Sequence, residues 1–180
     1  DGAALPFEEN IRLSREAVDF AHCYGVSVEA ELGAIRGKED DHVSEADSHT
    51  DPSQVAEFCE RTGCDTLAVS IGNVHGLEER PKIDLSHLAK IAEVAPVPLV
   101  LHGGSGIPDE TIRAMKRYGM IKVNIASDLR RAFIRAIALR YETNHNEANL
   151  ASVLLDARHA VTEVAYQKTM AMNASEMPIV

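Results

Sequence analysis

Two histidines stand out because each closes a short apolar run and is followed directly by glycine. They are His75, in IGNVHG, and His102, in VLHGG. Neighbouring strands of a parallel sheet lie about 4.8 Å apart, so two such imidazoles would come within reach of one ion. Taken singly, each is more typical of a hydrogen-bonded structural histidine, but the pair favours zinc, which in catalytic sites takes three protein ligands and one open position.

Carboxylates supply the next candidate ligand. Glu29 and Glu31 lie two residues apart in VEAELG, so a strand would point both to the same face. Glu31 lies nearer the carboxyl end of that run and is the better-placed metal ligand. We expect either that Glu31 completes the zinc set or that the third ligand lies before Asp1.

Two polar turns are candidates for binding phosphate. HGGSG follows one apolar run and NIAS follows the next, and the two lead into helical patterns at Pro108 and Ser127. Backbone N–H groups of a glycine turn and of a helix start can bind an anion without Lys or Arg. Most such strings are ordinary turns, but two adjoining ones favour a phosphate cradle.

Two further polar residues are candidates for handling substrate. Glu39 lies in the long polar segment Ala34–Thr50, which is predicted to be an irregular lid over the site; a solvated loop charge fits it equally well. Asn124 ends an apolar run, where its amide suits a substrate hydroxyl or carbonyl, or a structural hydrogen bond.

These residues belong to a regular alternation of strand and helix patterns. The predicted strands are Val26–Gly33, Thr66–Gly72, Pro98–Gly103 and Ile121–Ala126. The predicted helices are Phe7–Tyr24, Asp51–Arg61, Asp84–Val94, Pro108–Tyr118, Ser127–Tyr141 and Ala148–Met172. Such an alternation indicates an α/β protein with a parallel sheet. Polar residues at the carboxyl end of all four strands favour half of a (β/α)8 TIM barrel, and a full barrel usually takes about 250 residues. We therefore expect further strands before Asp1.

Composition narrows the functional classes. The 180-residue chain is 45% hydrophobic, enough for one globular domain, and its net charge of −10 argues against nucleic acid or an anionic membrane as a partner. Three cysteines without CxxC spacing are expected to be reduced and mostly buried, as in a cytoplasmic protein. No signal peptide or membrane span is predicted.

Five stretches together resemble the class II, zinc-dependent ketose-bisphosphate aldolases, with the tagatose- and fructose-bisphosphate branch the most similar. They are DGAALPFEENI, VEAELGAIRGKEDD, IGNVHG, PLVLHGGSGIP and KVNIASDLRRAF. The resemblance implies a TIM barrel of which residues 1–180 are the C-terminal part, strands 5–8 with their helices. It also implies reversible cleavage of a ketose 1,6-bisphosphate to dihydroxyacetone phosphate and glyceraldehyde 3-phosphate.

The same resemblance implies a role for each candidate residue. His75 and His102 would ligate zinc, Glu31 would be an alternative ligand, Glu39 would transfer a proton and Asn124 would position the substrate. The dihydroxyacetone phosphate group would bind to Gly76, Gly103, Gly104, Ser105, Asn124, Ile125, Ala126 and Ser127. The family further implies a monovalent cation, Na+ or K+, held by backbone carbonyls, and a homodimer or homotetramer with the Ala148–Met172 helix as a contact surface.

The sequence also departs from the family pattern. The stretch that carries the catalytic Asp and the first zinc-ligating His is absent from the 180 residues, so we expect them to be inactive alone. Ala126 stands where many fructose-bisphosphate members have an acidic residue. Three alternatives stay open: a non-catalytic half-barrel that binds phosphosugars or serves in assembly, a metal-free phosphosugar isomerase or synthase barrel, and a Schiff-base mechanism at Lys122, which shares a strand face with Asn124.

Overall fold

A computed structural model describes residues 2–35, 37–39, 42–44, 49–76 and 80–173, the backbone alone being described at 38–39 and 42–44. Its strands are β1 (Glu29–Leu32), β2 (Gly37–Glu39), β3 (His42–Ser44), β4 (Thr66–Val69), β5 (Leu99–Leu101) and β6 (Met120–Val123). Its α-helices are α1 (Phe7–His22), α2 (Pro52–Thr62), α3 (Leu85–Val94), α4 (Asp109–Met115), α5 (Ser127–Thr143) and α6 (Leu150–Asn173). A 3-10 turn at Lys116–Tyr118 follows α4.

The main sheet has four parallel strands in the order β1-β4-β5-β6. Strands β1, β4 and β5 lie within predicted strands and are shorter, whereas β6 begins one residue before its predicted range and ends three residues earlier. Strands that follow one another in this sheet are joined by helices, as predicted for an α/β protein. The carboxyl ends of all four strands therefore lie at one edge.

Glu29 and Lys122 show that one face of the sheet is concave. They lie on the outer strands β1 and β6, which three strand spacings of about 4.8 Å would separate by about 14 Å in a flat sheet. Yet Lys122 Nζ lies 3.0 Å from Glu29 Oε1 and 2.9 Å from Oε2. On the strands between them, the register partners Ala68 and Val100 are fully buried. This curvature is consistent with half of a (β/α)8 barrel.

The hydrophobic core fills the opposite, helix-bearing face of the sheet. Leu67 and Leu99 alternate with the inward-facing residues of β4 and β5, and they pack with helix residues such as Phe58, Ile91 and Ile112. All five are at most 1% exposed. Burial of this kind stabilises the fold by roughly 1.5–3 kcal/mol for each large side chain. The core therefore fixes the strands, and the strands fix the edge at which the polar residues meet.

Thr50 joins the carboxyl ends of β1 and β4. Its buried hydroxyl donates to Leu32 O over 2.5 Å and accepts from Ser70 N over 2.8 Å. A ring nitrogen of His87, on α3, lies 2.7 Å from Thr50 O. His87 thus has the structural role that is the default for most histidines of this chain.

The prediction that Ala34–Thr50 is irregular was wrong. Residues Gly37–Glu39 pair antiparallel with His42–Ser44, and Gly37 also forms a parallel bridge with His75. Each strand has only three residues, and Val43 is the one large apolar residue among the six, too few to show a hydrophobic alternation in the sequence. Whether the segment acts as a lid stays a prediction.

The cysteines and the last two helices complete the fold. All three cysteines are free; Cys59 and Cys64 are buried, whereas Cys23 is exposed. Across the described ranges, no helix is long and apolar enough to cross a membrane. Helices α5 and α6 pack closely on each other and leave large apolar side chains exposed, among them Ile134, Leu139, Leu150 and Tyr166.

Candidate functional site

A pocket lies at the carboxyl ends of β4, β5 and β6. It is lined by His75, Gly76, His102, Gly103, Ser105, Asn124, Ala126, Ser127 and Arg130. Every lining residue except Arg130 is a candidate from the sequence, and together they come from three separate loops. The fold thus brings the two histidines and both predicted phosphate turns to one cavity.

His102 sits between two carboxylates. Its Nε2 lies 2.9 Å from Glu29 Oε1, and its Nδ1 lies 2.5 Å from Glu31 Oε2. Burial of the ring disfavours its charged form, but Glu31 and Glu29 outweigh that effect and raise the pKa of His102 above its ordinary value. Burial also opposes ionisation of Glu29, yet His102 and Lys122 together lower the pKa of that carboxyl.

Glu31 is the more deeply buried of the two carboxylates, with 5% of its side chain exposed. Its contact with His102 is close but lacks the direction of a hydrogen bond, so the buried Oε2 atom has no hydrogen-bond partner. Its backbone oxygen accepts from Asn10 Nδ2 over 2.9 Å, which fixes this part of β1 against α1. Glu31 is not among the residues that line the pocket, but it contacts His102, which does.

His75 follows β4 and faces His102 across the pocket. The two ring centroids are 6.5 Å apart, and the ring planes meet at 68°. Gly103 lets the two loops approach: a Cβ there would overlap Val74 O and lie 3.2 Å from His75 Cδ2. The Gly37 bridge holds the other side of His75. The position of His75 is therefore set by β4, by the hairpin and by the loop after β5.

Asn73 joins the loops after β4 and β5. Its Oδ1 accepts from Ile71 N over 2.8 Å, and its Nδ2 donates to His102 O over 2.9 Å. The side chain is buried, so breaking these bonds would leave polar groups without water. Asn73 thus fixes the backbone that carries His102.

The two predicted phosphate turns are bonded to each other. Gly104 N donates to Asn124 O over 2.9 Å, and a Cβ at Gly104 would overlap the Val123 side chain. Ser105 Oγ accepts from Asp128 N over 3.1 Å, while Asp128 Oδ2 accepts from Gly106 N over 2.9 Å. Loop HGGSG is therefore anchored to the first turn of α5.

The remaining candidates lie around the pocket. Gly104 and Ile125 do not line it, and a Cβ at Gly104 would lie 3.2 Å from Ile125 Cγ1. Glu39 lies on β2, where its backbone pairs with His42, but its side chain falls outside what the structure describes. Asn124 lines the pocket, and its own N–H donates to Leu101 O over 2.8 Å.

Arg130 is the lining residue that the sequence analysis did not identify. It lies three residues after Ser127 on α5, so both side chains occur on the same face of the helix. That spacing was available in the sequence as a signal. In a chain of net charge −10, an arginine at a pocket lined by glycine and serine favours an anionic ligand.

The donor types fit a zinc ion. Two imidazoles and a buried carboxylate are typical zinc ligands, and a cation would satisfy the unbonded Glu31 oxygen. The described residues contain no group of three or more His, Cys, Asp or Glu side chains already gathered as a metal site. Lys122 is paired with the anionic Glu29 and half exposed, so it lacks the dry surroundings that activate a Schiff-base lysine.

Comparisons with known proteins agree with this arrangement. Residues 1–177 match the family model described as fructose-bisphosphate aldolase class-II. The YdjI aldolase from Escherichia coli K12 is 40% identical, with a TM-score of 0.76, and the match covers 96% of this chain and 58% of that one.

Two other solved structures share the fold. A protein of Coccidioides immitis assigned as a fructose-1,6-biphosphate aldolase is 28% identical, with a TM-score of 0.78 and coverage of 94% and 60%. Fructose-bisphosphate aldolase of Campylobacter jejuni is 23% identical, with a TM-score of 0.75 and coverage of 96% and 60%. The chain thus spans about three fifths of the length of these structures. It belongs to the class-II fructose-bisphosphate aldolase family.

Proposed function

We propose that this chain forms part of the active site of a zinc-dependent aldolase that cleaves a ketose 1,6-bisphosphate, fructose or tagatose, reversibly. The observation that carries the proposal is the pocket in which His75 and His102 face the two phosphate turns. Residues 1–180 would be the C-terminal part of a single TIM-barrel domain. The products would be dihydroxyacetone phosphate and glyceraldehyde 3-phosphate.

The phosphate turns support a phosphorylated substrate. Gly103 and Ser105 contribute the loop after β5, and Ala126 and Ser127 begin α5, whose first N–H groups point along the helix axis. Such N–H groups and the helix dipole bind an anion without neutralising lysines. The cross-bonds between the two turns keep these donors in place before the substrate arrives.

Cleavage breaks the C3–C4 bond of the ketose while the C4 hydroxyl loses a proton, and C3 then takes a proton to complete dihydroxyacetone phosphate. His75, His102 and Glu31 would hold zinc, which when bound supplies Lewis-acid polarisation of the ketone carbonyl. Asn124 would orient the substrate by hydrogen bonds from the pocket wall. Glu39, carried on the hairpin that bridges to His75, would exchange the proton at C3.

The test is cleavage of fructose and tagatose 1,6-bisphosphates by the full-length protein. We expect the release of dihydroxyacetone phosphate, its loss on treatment with a strong chelator, and its return when zinc is added. Activity indifferent to the chelator would contradict the zinc mechanism. Substrate binding without cleavage under every metal condition would instead favour a non-catalytic phosphosugar-binding module.

Arg130→Gln tests the anionic ligand. We expect KM for the bisphosphate to rise roughly ten-fold with little change in kcat, because the guanidinium would bind phosphate at a distance from the reacting carbons. Steady-state kinetics would measure both constants. Arg113→Gln, which removes an exposed arginine from α4 outside the pocket, is the matched control. An equal rise in KM in both variants would mean that only net charge matters.

Three further features remain predictions. A homodimer or homotetramer is supported by the apolar side chains exposed on α5 and α6, and sedimentation of the full-length protein would test it. A monovalent cation beside the phosphate turns would show as a dependence of KM on Na+ or K+. A cytoplasmic location is favoured by the free cysteines.

A further inference from the structure

A continuous row of three ionisable side chains, Lys122, Glu29 and His102, runs along the concave face of the sheet. Lys122 Nζ binds both oxygens of Glu29, at 3.0 and 2.9 Å, and Glu29 Oε1 lies 2.9 Å from His102 Nε2. Glu31 meets the other ring nitrogen of His102. Each nitrogen of this imidazole therefore faces a different carboxylate.

The two carboxylates differ in what else they contact. The ammonium group of Lys122 balances the negative charge of Glu29, and the Glu29 carboxylate also contacts His102 Nε2. Both partners of Glu29 therefore come from within the protein. Glu31 Oε2 is buried and has no hydrogen bond. An added cation would therefore be attracted to the Glu31 side of the ring, whereas Glu29 already has its cation in Lys122.

From this asymmetry we infer that Lys122, acting through Glu29, is a positioning residue that orients His102 towards the metal. The inference rests on the proposed zinc site. A carboxylate bonded to one nitrogen of an imidazole fixes which nitrogen carries the proton and aims the other at the metal. Lys122 holds that carboxylate from the far edge of the sheet, so it prevents Glu29 from turning towards the ion itself.

The position of the row in the fold explains why three residues are needed. Glu29 lies on β1, His102 follows β5 and Lys122 lies on β6, so the row ties the two outer strands to the loop between them. The Lys122 side chain is 50% exposed, and it contributes little to the core. Replacing it should therefore alter the orientation of His102 without unfolding the sheet.

Lys122→Met in the full-length protein provides the test. Zinc affinity, measured by competition with a chromophoric chelator, should fall by up to about 10-fold, the lower end of the loss that follows removal of the direct partner of a metal-ligating histidine, because Lys122 acts through Glu29. Lys122→Arg should restore most of it, since a guanidinium can bind both Glu29 oxygens. Nitrogen-15 NMR of the zinc-loaded protein should show a single protonated Nε2 at His102 in the wild type and a mixture in the methionine variant.

Lys90→Met, which removes an exposed lysine from α3, controls for net charge. Zinc affinity that is unchanged in Lys122→Met, or lowered equally in Lys90→Met, would overturn the inference. If the wild type cleaves its substrate and binds zinc normally, such a result would leave the proposed function standing. A wild type that neither binds zinc nor cleaves would overturn both.

Discussion

Replacing His102 with alanine is expected to lower cleavage by at least about 100-fold and to weaken zinc binding by a similar factor. Loss of a partner that only orients a metal ligand costs roughly 10–100-fold, so loss of the ligand itself should cost at least as much. The change also removes the ring that separates Glu29 from Glu31, leaving two carboxylates to repel each other. Cleavage kinetics and chelator competition on the full-length protein measure the two effects.

His159→Ala is the control, because His159 is exposed on α6 and contributes nothing to the pocket. Thermal unfolding of both variants would show how much of any loss reflects stability. If the His102 variant kept its cleavage rate within about ten-fold of the wild type, the loss of activity would be far smaller than removal of a metal ligand requires. The metal, if present, would then bind elsewhere.

Gly103→Ala is expected to lower the free energy of unfolding by about 2–5 kcal/mol. Gly103 has φ +62°, where a side chain costs about 1–2 kcal/mol, and its Cβ would overlap Val74 O. Forcing an extra methyl into packed surroundings typically adds about 1–3 kcal/mol. The contacted atom belongs to the backbone, which cannot swing aside as a side chain would. Urea denaturation would measure the change, and substrate binding should weaken because Val74 and His75 would be pushed away from the loop that carries Gly103 and His102.

Gly25→Ala separates the two contributions. Gly25 has a similar φ of +68°, but a Cβ there would meet no atom within 4 Å. Only the backbone strain of about 1–2 kcal/mol should appear in this variant. Equal losses at both positions would show that the loops after β4 and β5 are not in close contact.

The sheet and its helices were predictable because their signals are local. Asp51 and Asp84 cap α2 and α3 through their side chains, and Gly63 ends α2 with φ +70°. These residues mark helix ends in the sequence, and the short apolar runs mark the strands. The hairpin β2–β3 was not predictable because its six strand residues carry no apolar period, and its pairing depends on Gly37 reaching His75.

The candidate site was predictable as a set of residue types but not as a network. The glycine that follows each histidine indicated where loops approach, and the pocket contains both histidines. The sequence gives no sign that Glu29 would reach Lys122, because that contact crosses two intervening strands and depends on the curvature of the sheet. Asn73 was likewise indistinguishable from a surface turn residue until its partner, the His102 carbonyl, came within reach.

The bridge between Gly37 and His75 is expected to couple the position of the hairpin to the binding of a ligand in the pocket. A Cβ at Gly37 would lie 2.8 Å from His75 N, so the two backbones are in close contact and a displacement of one is expected to displace the other. If a bound ligand stabilises one position of the hairpin, then that position of the hairpin favours ligand binding by the same free energy. Hydrogen exchange at Gly37 is therefore expected to change when the pocket is occupied, although Gly37 does not line the pocket.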